Sequence, residues 1–238
     1  MLRNWLVHTY CTQQYFRHTV KFIESFRSFH GTGIFVSSRG LGSDQVHALI
    51  RLDNVIVNNQ HLDVHDMTEE TRTNLAVLHD YEKSIANREP PGKNLLWKLY
   101  ISVKDRYRRS IDEALAFGHN ILHFDADTLV KQPLDPLFKM IKRHDICIKF
   151  KDYDCKLGGV VGNLISFQNK PQTREFLNTW YDIIDKVKVH EMPRGFGQMS
   201  FYQAYRKNRD LVNFGRIPDS FSKRVGNKWI SDYIEKIR

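Results

Sequence analysis

The sequence has 238 residues, 41% hydrophobic and 12% aromatic, which excludes a disordered chain and allows one sizeable core. The formal net charge of +9 suits partners that carry phosphate, such as nucleotides, nucleic acid or an anionic membrane surface. No stretch approaches the roughly 20 consecutive apolar residues of a membrane-spanning helix, and no signal peptide is recognisable.

The three cysteines show neither a disulfide framework nor a metal-binding spacing, which favours reduced thiols. We therefore expect a cytoplasmic protein, with membrane contact limited to peripheral association.

Strands and helices alternate in the first half of the chain. Within this half, Gly31 and Gly33 end the first predicted helix, and Gly118 ends the last one. The last strand of this half runs directly into Asp125. This alternation predicts an α/β fold with a mostly parallel central sheet flanked by helices. In chain order, the patterns predict strands over 4–11, 33–38, 54–59 and 120–124, and helices over 14–30, 43–52, 71–86 and 94–117.

The second half has a different order of elements and ends in a tail without a clear period. We expect one domain over 1–238, in which a first half over about 1–130 has the pattern of a nucleotide-binding fold and a second half with the tail, over about 131–238, completes a site. The predicted elements are helices over 135–142, 172–187 and 198–207, strands over 145–150 and 164–167, the latter ending the segment 157–167, and a short helix over 229–237.

Asp125 and Asp127 follow the apolar strand over 120–124 and are separated by one residue. Like charges that close repel and resist desolvation, so the pair predicts a cation between them. Residues i and i+2 of an extended strand point to the same face, and ligands of open α/β sheets collect where strands end. The spacing therefore favours a hard cation, Mg²⁺ or Mn²⁺, held by the two carboxylates.

The basic chain and its carboxylate pair allow three other interpretations. Asp127 or Thr128 could merely cap a turn, which leaves the second carboxylate unexplained. DADT also matches the DxDxT motif of haloacid-dehalogenase-like phosphatases, with Asp125 as nucleophile, but more than half the chain precedes it and no later acidic pair follows. A basic nucleic-acid-binding protein would fit the charge, yet it gives the pair no role.

The segment ILHFDADTLVKQPLDPLF (121–138) resembles the DxD segment of GT-A glycosyltransferases, in which an apolar strand leads into the two aspartates and then a helix. Three further segments resemble parts of that family: VHTYCTQQYF (7–16), GGVVGNLISFQN (158–169) and GFGQMSFYQAY (195–205). The resemblance covers most of the chain and implies a GT-A, Rossmann-like fold for nucleotide-diphospho-sugar transfer.

The resemblance implies a donor site built around a divalent cation, Mn²⁺ or Mg²⁺. Asp127 would be the direct metal ligand, and Asp125 would contact the metal, in part through water, or the ribose. Lys223 and Arg224, in the basic tail, would join the groups that neutralise phosphate. The other candidate nucleotide-sugar-binding residues are Thr9, Tyr10, Arg39, Lys98 and Lys228.

The resemblance also implies an acceptor site in the second half, where Gly159 and Asn163 are the candidate acceptor-binding residues. This sequence has Gly197 where the family commonly has an aspartate, so that residue's role does not carry over. An inverting enzyme needs a general base near the reacting carbon, whereas a retaining enzyme does not. The candidates are Asp154, Glu191 or Asp152 as base, or Gln198 beside the reacting sugar.

The implied function is the metal-dependent transfer of a sugar from a nucleotide-diphosphate sugar to an acceptor hydroxyl. The acceptor would be a saccharide or a glycolipid in glycan, polysaccharide or lipid-linked saccharide synthesis, and no nucleic-acid partner is expected.

Overall fold

The computed structural model describes residues 4–60, 110–150, 159–186 and 196–221, and the short segments 224–225, 228–229 and 231–236. The helix predicted over 71–86 lies outside the described residues. So does the helix predicted over 94–117, except for its last part.

The first half forms the predicted alternation of strands and helices. β1 is buried along most of its length, with only Tyr10 and Thr12 half-buried, although His8 interrupts its apolar sequence. A short 3-10 turn at Gln13–Tyr15 delays the first α-helix to Phe16. The elements are β1 (Trp5–Thr12), α1 (Phe16–Arg27), β2 (Ile34–Arg39), α2 (Ser43–Ile50), β3 (Val55–Gln60), α3 (Ser110–Ala116) and β4 (Asn120–Phe124).

The second half adds strands to the same sheet and two longer helices. β7 is buried along its whole length, including its polar residues Asn163 and Ser166. The elements are β5 (Thr128–Val130), α4 (Asp135–Ile141), β6 (Ile146–Phe150), β7 (Val160–Phe167), α5 (Pro171–Lys186), α6 (Phe196–Asn208), β8 (Phe214–Arg216), β9 (Arg224–Val225), β10 (Lys228–Trp229) and β11 (Ile234–Lys236).

The central sheet has seven strands in the order β3-β2-β1-β4-β7-β6-β8. The pairs from β3 to β4 are parallel, as is β6 with β8, whereas β7 runs antiparallel to both β4 and β6. The mostly parallel sheet predicted from the sequence is therefore confirmed. The chain builds outward from β1 to β3 and then returns to the other side of β1 with β4, so the strand order reverses between β1 and β4.

Helices cover both faces of this sheet, and each face has its own apolar core. One core includes Phe22 of α1 and Leu137 of α4, packed on Val7 and Phe124 of the strands. The opposite core includes Trp180 of α5 and Phe201 of α6. Trp180 is buried, and its indole Nε1 donates a hydrogen bond to Ser200 Oγ at 2.9 Å, so burying this large ring leaves its donor satisfied.

The tail is where the sequence-based prediction is wrong. The helix predicted over 229–237 is replaced by strand β11, which pairs antiparallel with β5, while β9 and β10 form a separate two-stranded sheet. β8, also predicted to be irregular, joins the central sheet beside β6. Short strands of this kind depend on a partner distant in the sequence, so local periodicity does not reveal them.

Cys11 and Cys147 are free and fully buried, and burial raises the pKa of both thiols to about 11. They are therefore neutral and poorly nucleophilic near neutral pH.

None of the helices in the described part of the chain has the length and apolar character needed to cross a membrane.

His30 forms a titratable contact with the residue that precedes α4. Its Nε2 accepts a hydrogen bond from the Leu134 backbone N–H at 2.8 Å, which requires the neutral ring. Burial lowers the pKa of His30, while nearby Asp135 acts in the opposite direction. The unfolded chain therefore takes up a proton at a higher pH than the folded chain.

We expect this histidine to reduce thermal stability as the pH falls below about 6.5, the ordinary value of the group. Its contribution is complete above that pH and is lost progressively toward the lower folded pKa. His30→Gln retains an oxygen acceptor for Leu134 and does not titrate, so its melting temperature should fall less between pH 7.5 and 5.5. An equal fall in both proteins, measured by circular dichroism, would contradict this assignment.

Candidate functional site

Asp125 and Asp127 lie at the carboxyl end of β4, the central strand at which the sheet order reverses. The Asp125 backbone N–H donates to the Asn163 carbonyl of β7 at 3.1 Å, and the Asp125 carbonyl accepts from the Thr128 N–H at 3.2 Å. The first bond ties the end of β4 to β7, and the second closes a tight turn between β4 and β5. This turn, and not the extended strand on which the spacing argument relied, directs both carboxylates at Lys236.

A lysine ammonium lies between the two carboxylates. Lys236 Nζ is 2.8 Å from Asp127 Oδ1 and also forms a short ion pair with Asp125 Oδ2. The side chains of Asp125, Asp127 and Lys236 are 15%, 23% and 18% exposed, so the cluster is largely shielded from solvent. The sequence predicts a divalent cation between the aspartates; here the Lys236 ammonium, from β11, lies between them, and the metal stays a prediction.

β11 carries Lys236 to this position. The strand pairs with β5 so that Lys236 is opposite Thr128 and Ile234 is opposite Val130. Ile234 is buried in the core beneath α1 and α4, which anchors the strand. At the start of β11, Ser231 Oγ donates to the Ile234 carbonyl at 2.9 Å and accepts from its N–H at 3.0 Å. The backbone beside the carboxylates is thus firmly held.

A string of buried polar side chains runs from the carboxylates across three parallel strands. His8 and His123 are fully buried, and their Nδ1 atoms are 2.9 Å apart. His8 Nε2 is 3.2 Å from Ser37 Oγ, and His123 Nε2 is 4.0 Å from Asp125 Oδ1. The string exists because β1 pairs in register with β4 and β2, which aligns His8 with His123.

The geometry of the string favours one arrangement of protons. With both rings neutral, one Nδ1 must donate and the other accept. If His8 donates, His123 carries its proton on Nε2, facing the Asp125 carboxylate, and the Ser37 hydroxyl donates to His8. The reverse arrangement would point a lone pair at that carboxylate. In the first arrangement, a His123 N–H faces the Asp125 carboxylate.

Two predicted donor-binding residues lie on opposite faces of β1. Strand alternation places Thr9 on the face of Val7 and Cys11, away from His8, whereas Tyr10 shares the face of His8 and is half-buried. Thr9 Oγ1 is buried without a hydrogen-bond partner among the described residues. Of the two side chains, Tyr10 is on the same face as the histidine string.

The predicted acceptor-binding residues both lie on or beside β7. Asn163 is buried, and its carbonyl holds the Asp125 N–H, so the structure brings this residue to the carboxylate pair. Gly159 is buried against Tyr202 of α6, where an added Cβ would lie 3.1 Å from the ring. Gln198 lies in the first turn of α6 and is partly buried.

The remaining predicted residues lie wholly or partly outside the described structure. Lys98, Asp154 and Glu191 lie outside the described residues. Arg39 ends β2 and Lys228 begins β10, but only their backbone positions are described.

The donor atoms present suit a hard divalent cation. One carboxylate oxygen from each aspartate converges on a single point, now held by the Lys236 ammonium, and Mg²⁺ and Mn²⁺ prefer such oxygens. No group of three or more His, Cys, Asp or Glu ligands occurs within the described part of the chain. The pair therefore fits a cation that completes its shell with water or substrate oxygens.

Sequence reasoning missed Lys236 and the two buried histidines. The signal for the histidines was available, since each interrupts an otherwise apolar strand, at His8 in WLVHTY and at His123 in NILHF. Lys236 left no comparable signal, because its partner Asp125 is 111 positions away in the sequence.

No protein-family model matches the chain, and neither does any curated protein. Its fold is similar to that of the glycosyltransferase GlyE from Streptococcus pneumoniae, with a TM-score of 0.55 and 12% identity over 91% of this chain and 45% of that one. It is also similar to mouse xyloside xylosyltransferase 1 in its apo form, with a TM-score of 0.52 and 12% identity over 91% of this chain and 86% of that one. This chain thus spans less than half of the pneumococcal protein. The likeness is one of fold, and it confirms the predicted GT-A class.

Proposed function

We propose that this chain is a metal-dependent glycosyltransferase that moves a sugar from a nucleotide-diphosphate donor to an acceptor hydroxyl. One observation carries the proposal: the Asp125 and Asp127 carboxylates converge on one cation at the strand-order reversal of a GT-A fold. In open α/β sheets this is where ligands bind.

Asp125 and Asp127 would hold the divalent cation, which when bound supplies a Lewis acid for the negative charge of the leaving diphosphate. The chain itself would hold the two carboxylates in position before the cation binds. The Asn163 carbonyl fixes the Asp125 backbone, and the His123 ring limits the positions open to its carboxylate. Preorganised charge of this kind loses little energy to reorganisation during reaction.

The donor and acceptor would approach the pair from opposite halves of the chain. Tyr10, Arg39 and Lys98 are the candidates that contact the nucleotide from the first half, and Lys228 would neutralise phosphate from the tail. Thr9 is a weaker candidate, since its side chain lies on the other face of β1.

Acceptor binding and proton removal are assigned to the second half. Asn163 borders the pair, and Gly159 leaves the backbone beside Tyr202 free of a side chain. Asp154 and Glu191 remain the candidate bases of an inverting reaction, and Gln198 the candidate beside the sugar of a retaining one. The basic chain suits a saccharide or glycolipid acceptor at an anionic membrane surface, in glycan, polysaccharide or lipid-linked saccharide synthesis.

A thermal-shift screen of nucleotide sugars, with Mn²⁺ and with a chelator, tests the proposal. The panel includes a xylose donor, because one structural relative is named as a xylosyltransferase. We expect one diphosphate sugar to stabilise the protein only with metal, by about 2.7 kcal/mol at 100 times its dissociation constant.

Asp127→Ala should abolish that stabilisation, whereas Asp182→Asn, on the exposed surface of α5, should preserve it. Stabilisation by oligonucleotides alone, or by a nucleotide sugar without metal, would contradict the proposed function.

A further inference from the structure

The Lys236 ammonium occupies the point where a metal would bind under the proposed function, on which this inference rests. Its Nζ takes one oxygen from each aspartate, Asp125 Oδ2 and Asp127 Oδ1. These converging oxygens are the ones a cation between the carboxylates would use.

Lysine and metal cannot share these oxygens. An Mg²⁺ ion requires its oxygen ligands at about 2.0–2.1 Å, and an ammonium 2.8 Å from Asp127 Oδ1 already lies within that space. The two cations also repel each other at such short range. Binding of a divalent cation between the aspartates therefore requires the ammonium to leave.

The lysine side chain can leave while its strand stays. β11 is held by its pairing with β5, by the buried Ile234 side chain and by the Ser231 hydroxyl. The Tyr233 ring also packs on Phe221, with centroids 4.3 Å apart. The flexible four-carbon stem of Lys236, in contrast, lets its ammonium swing away without disturbing these contacts.

We propose that Lys236 is a built-in competitor of the divalent cation, which closes the carboxylate pair until metal displaces it. The lysine neutralises part of the repulsion between the two aspartates in the resting chain, so one oxygen of each stays directed at the same point. The same ion pair lowers the apparent affinity for metal, because each binding event must first break it.

Manganese binding without any nucleotide sugar tests this directly. The chain is added stepwise to a Mn²⁺ solution at constant ionic strength. Electron paramagnetic resonance measures how much free Mn²⁺ remains at each step. Lys236→Met removes the ammonium and preserves much of the side-chain length. We expect it to bind Mn²⁺ about 10- to 100-fold more tightly than the wild type, the range corresponding to hydrogen bonds with charged groups.

Two control variants separate competition from a general change in charge. Lys139→Met removes an exposed positive charge from α4 and should leave the dissociation constant near the wild-type value. Lys236→Arg keeps a positive charge beside the aspartates, so it should bind Mn²⁺ about as weakly as the wild type does. Equal or weaker Mn²⁺ binding by Lys236→Met would overturn the competition and leave the proposed glycosyl transfer intact.

A different result would overturn the proposed metal dependence as well. In that case neither the wild type nor Lys236→Met binds Mn²⁺, and a nucleotide sugar stabilises the wild type in chelator. The ammonium would then serve in place of a metal rather than compete with it.

The unmodified protein provides a second measurement, which does not depend on any variant folding. Lysine acetylation by a brief pulse of acetic anhydride is followed by mass spectrometry, with and without saturating Mn²⁺. We expect metal to increase the labelling of Lys236 severalfold while the labelling of Lys139 stays constant. Unchanged labelling of Lys236 in metal-saturated protein would show that the lysine does not leave, and would overturn the proposal.

Discussion

Replacing Asp127 by asparagine is expected to lower the kcat/KM of donor hydrolysis by about 10²- to 10⁴-fold. The reason is that the amide removes a charged ligand and weakens a metal contribution worth several kcal/mol, at about 1.4 kcal/mol per tenfold. Asparagine has nearly the volume of aspartate, so the turn between β4 and β5 should persist. Slow hydrolysis of the donor found in the screen serves as the assay, because it needs no acceptor.

The same replacement at Asp125 is expected to have a smaller effect. In the proposed site Asp127 is the direct ligand, whereas Asp125 contacts the metal partly through water or binds the ribose. Its carboxylate also faces His123, 4.0 Å away, and its backbone is held by Asn163. Asp125→Asn preserves these main-chain bonds, so the loss should arise from the charge alone.

The matched control is Asp182→Asn, which removes one exposed carboxylate from α5. Its rate should equal that of the wild type, and all three variants should show the wild-type circular dichroism spectrum. A wild-type rate for Asp127→Asn would remove this residue from the proposed metal site. A greater loss of kcat/KM for Asp125→Asn than for Asp127→Asn would mean that Asp125, and not Asp127, is the direct metal ligand.

Much of the sheet could be predicted because its strands are short apolar runs bounded by glycine or polar residues. β1, β2 and β4 lie close to their predicted positions for this reason. The end of β4 could also be placed, because the alternation of strands and helices makes the strand parallel and aims its carboxyl end at the ligand edge. The carboxylate pair therefore belongs to the part of the site that local pattern reveals.

That the Lys236 ammonium lies beside this pair could not be predicted, because its position depends on pairing between distant segments. The segment that contains β11, SDYIEKIR, is short and mixes residues that suit a helix with residues that suit a strand. Its pairing with β5 and the burial of Ile234 favour a strand over a helix, and both depend on the tertiary structure. The contact of His8 with His123 likewise depends on the register of β1 against β4, which neither strand reveals alone.

Gly215 in β8 provides the largest stability effect that we expect from a small substitution. A Cβ at this position would lie 2.5 Å from His144 Cδ2 and 2.6 Å from Cys147 Sγ. Gly215 is opposite Cys147 in the register of β6 and β8, and Cys147 is fully buried, so its sulfur has little freedom to move. His144 is held in turn by a 3.1 Å contact between its Nδ1 and Asn213 Oδ1.

We expect Gly215→Ala to lower the free energy of unfolding by about 1–3 kcal/mol, the usual cost of overpacking a core. For a chain of this size, each kcal/mol corresponds to a fall of about 2–4 °C in melting temperature. Urea denaturation followed by circular dichroism measures the change. Gly31→Ala is the control, because nothing lies within 4 Å of its added Cβ, and it should stay within about 0.5 kcal/mol of the wild type.

The contact with the sulfur can be isolated by a double-mutant cycle. Cys147→Ala alone removes a buried group and should destabilise the chain, but in the Gly215→Ala background it also relieves the clash. The two changes should therefore be less than additive, with a coupling of at least about 0.5 kcal/mol, as found for residues in direct contact. Strict additivity would mean that β8 moves away from β6 to make room for the methyl group. The added Cβ would then no longer contact the Cys147 sulfur.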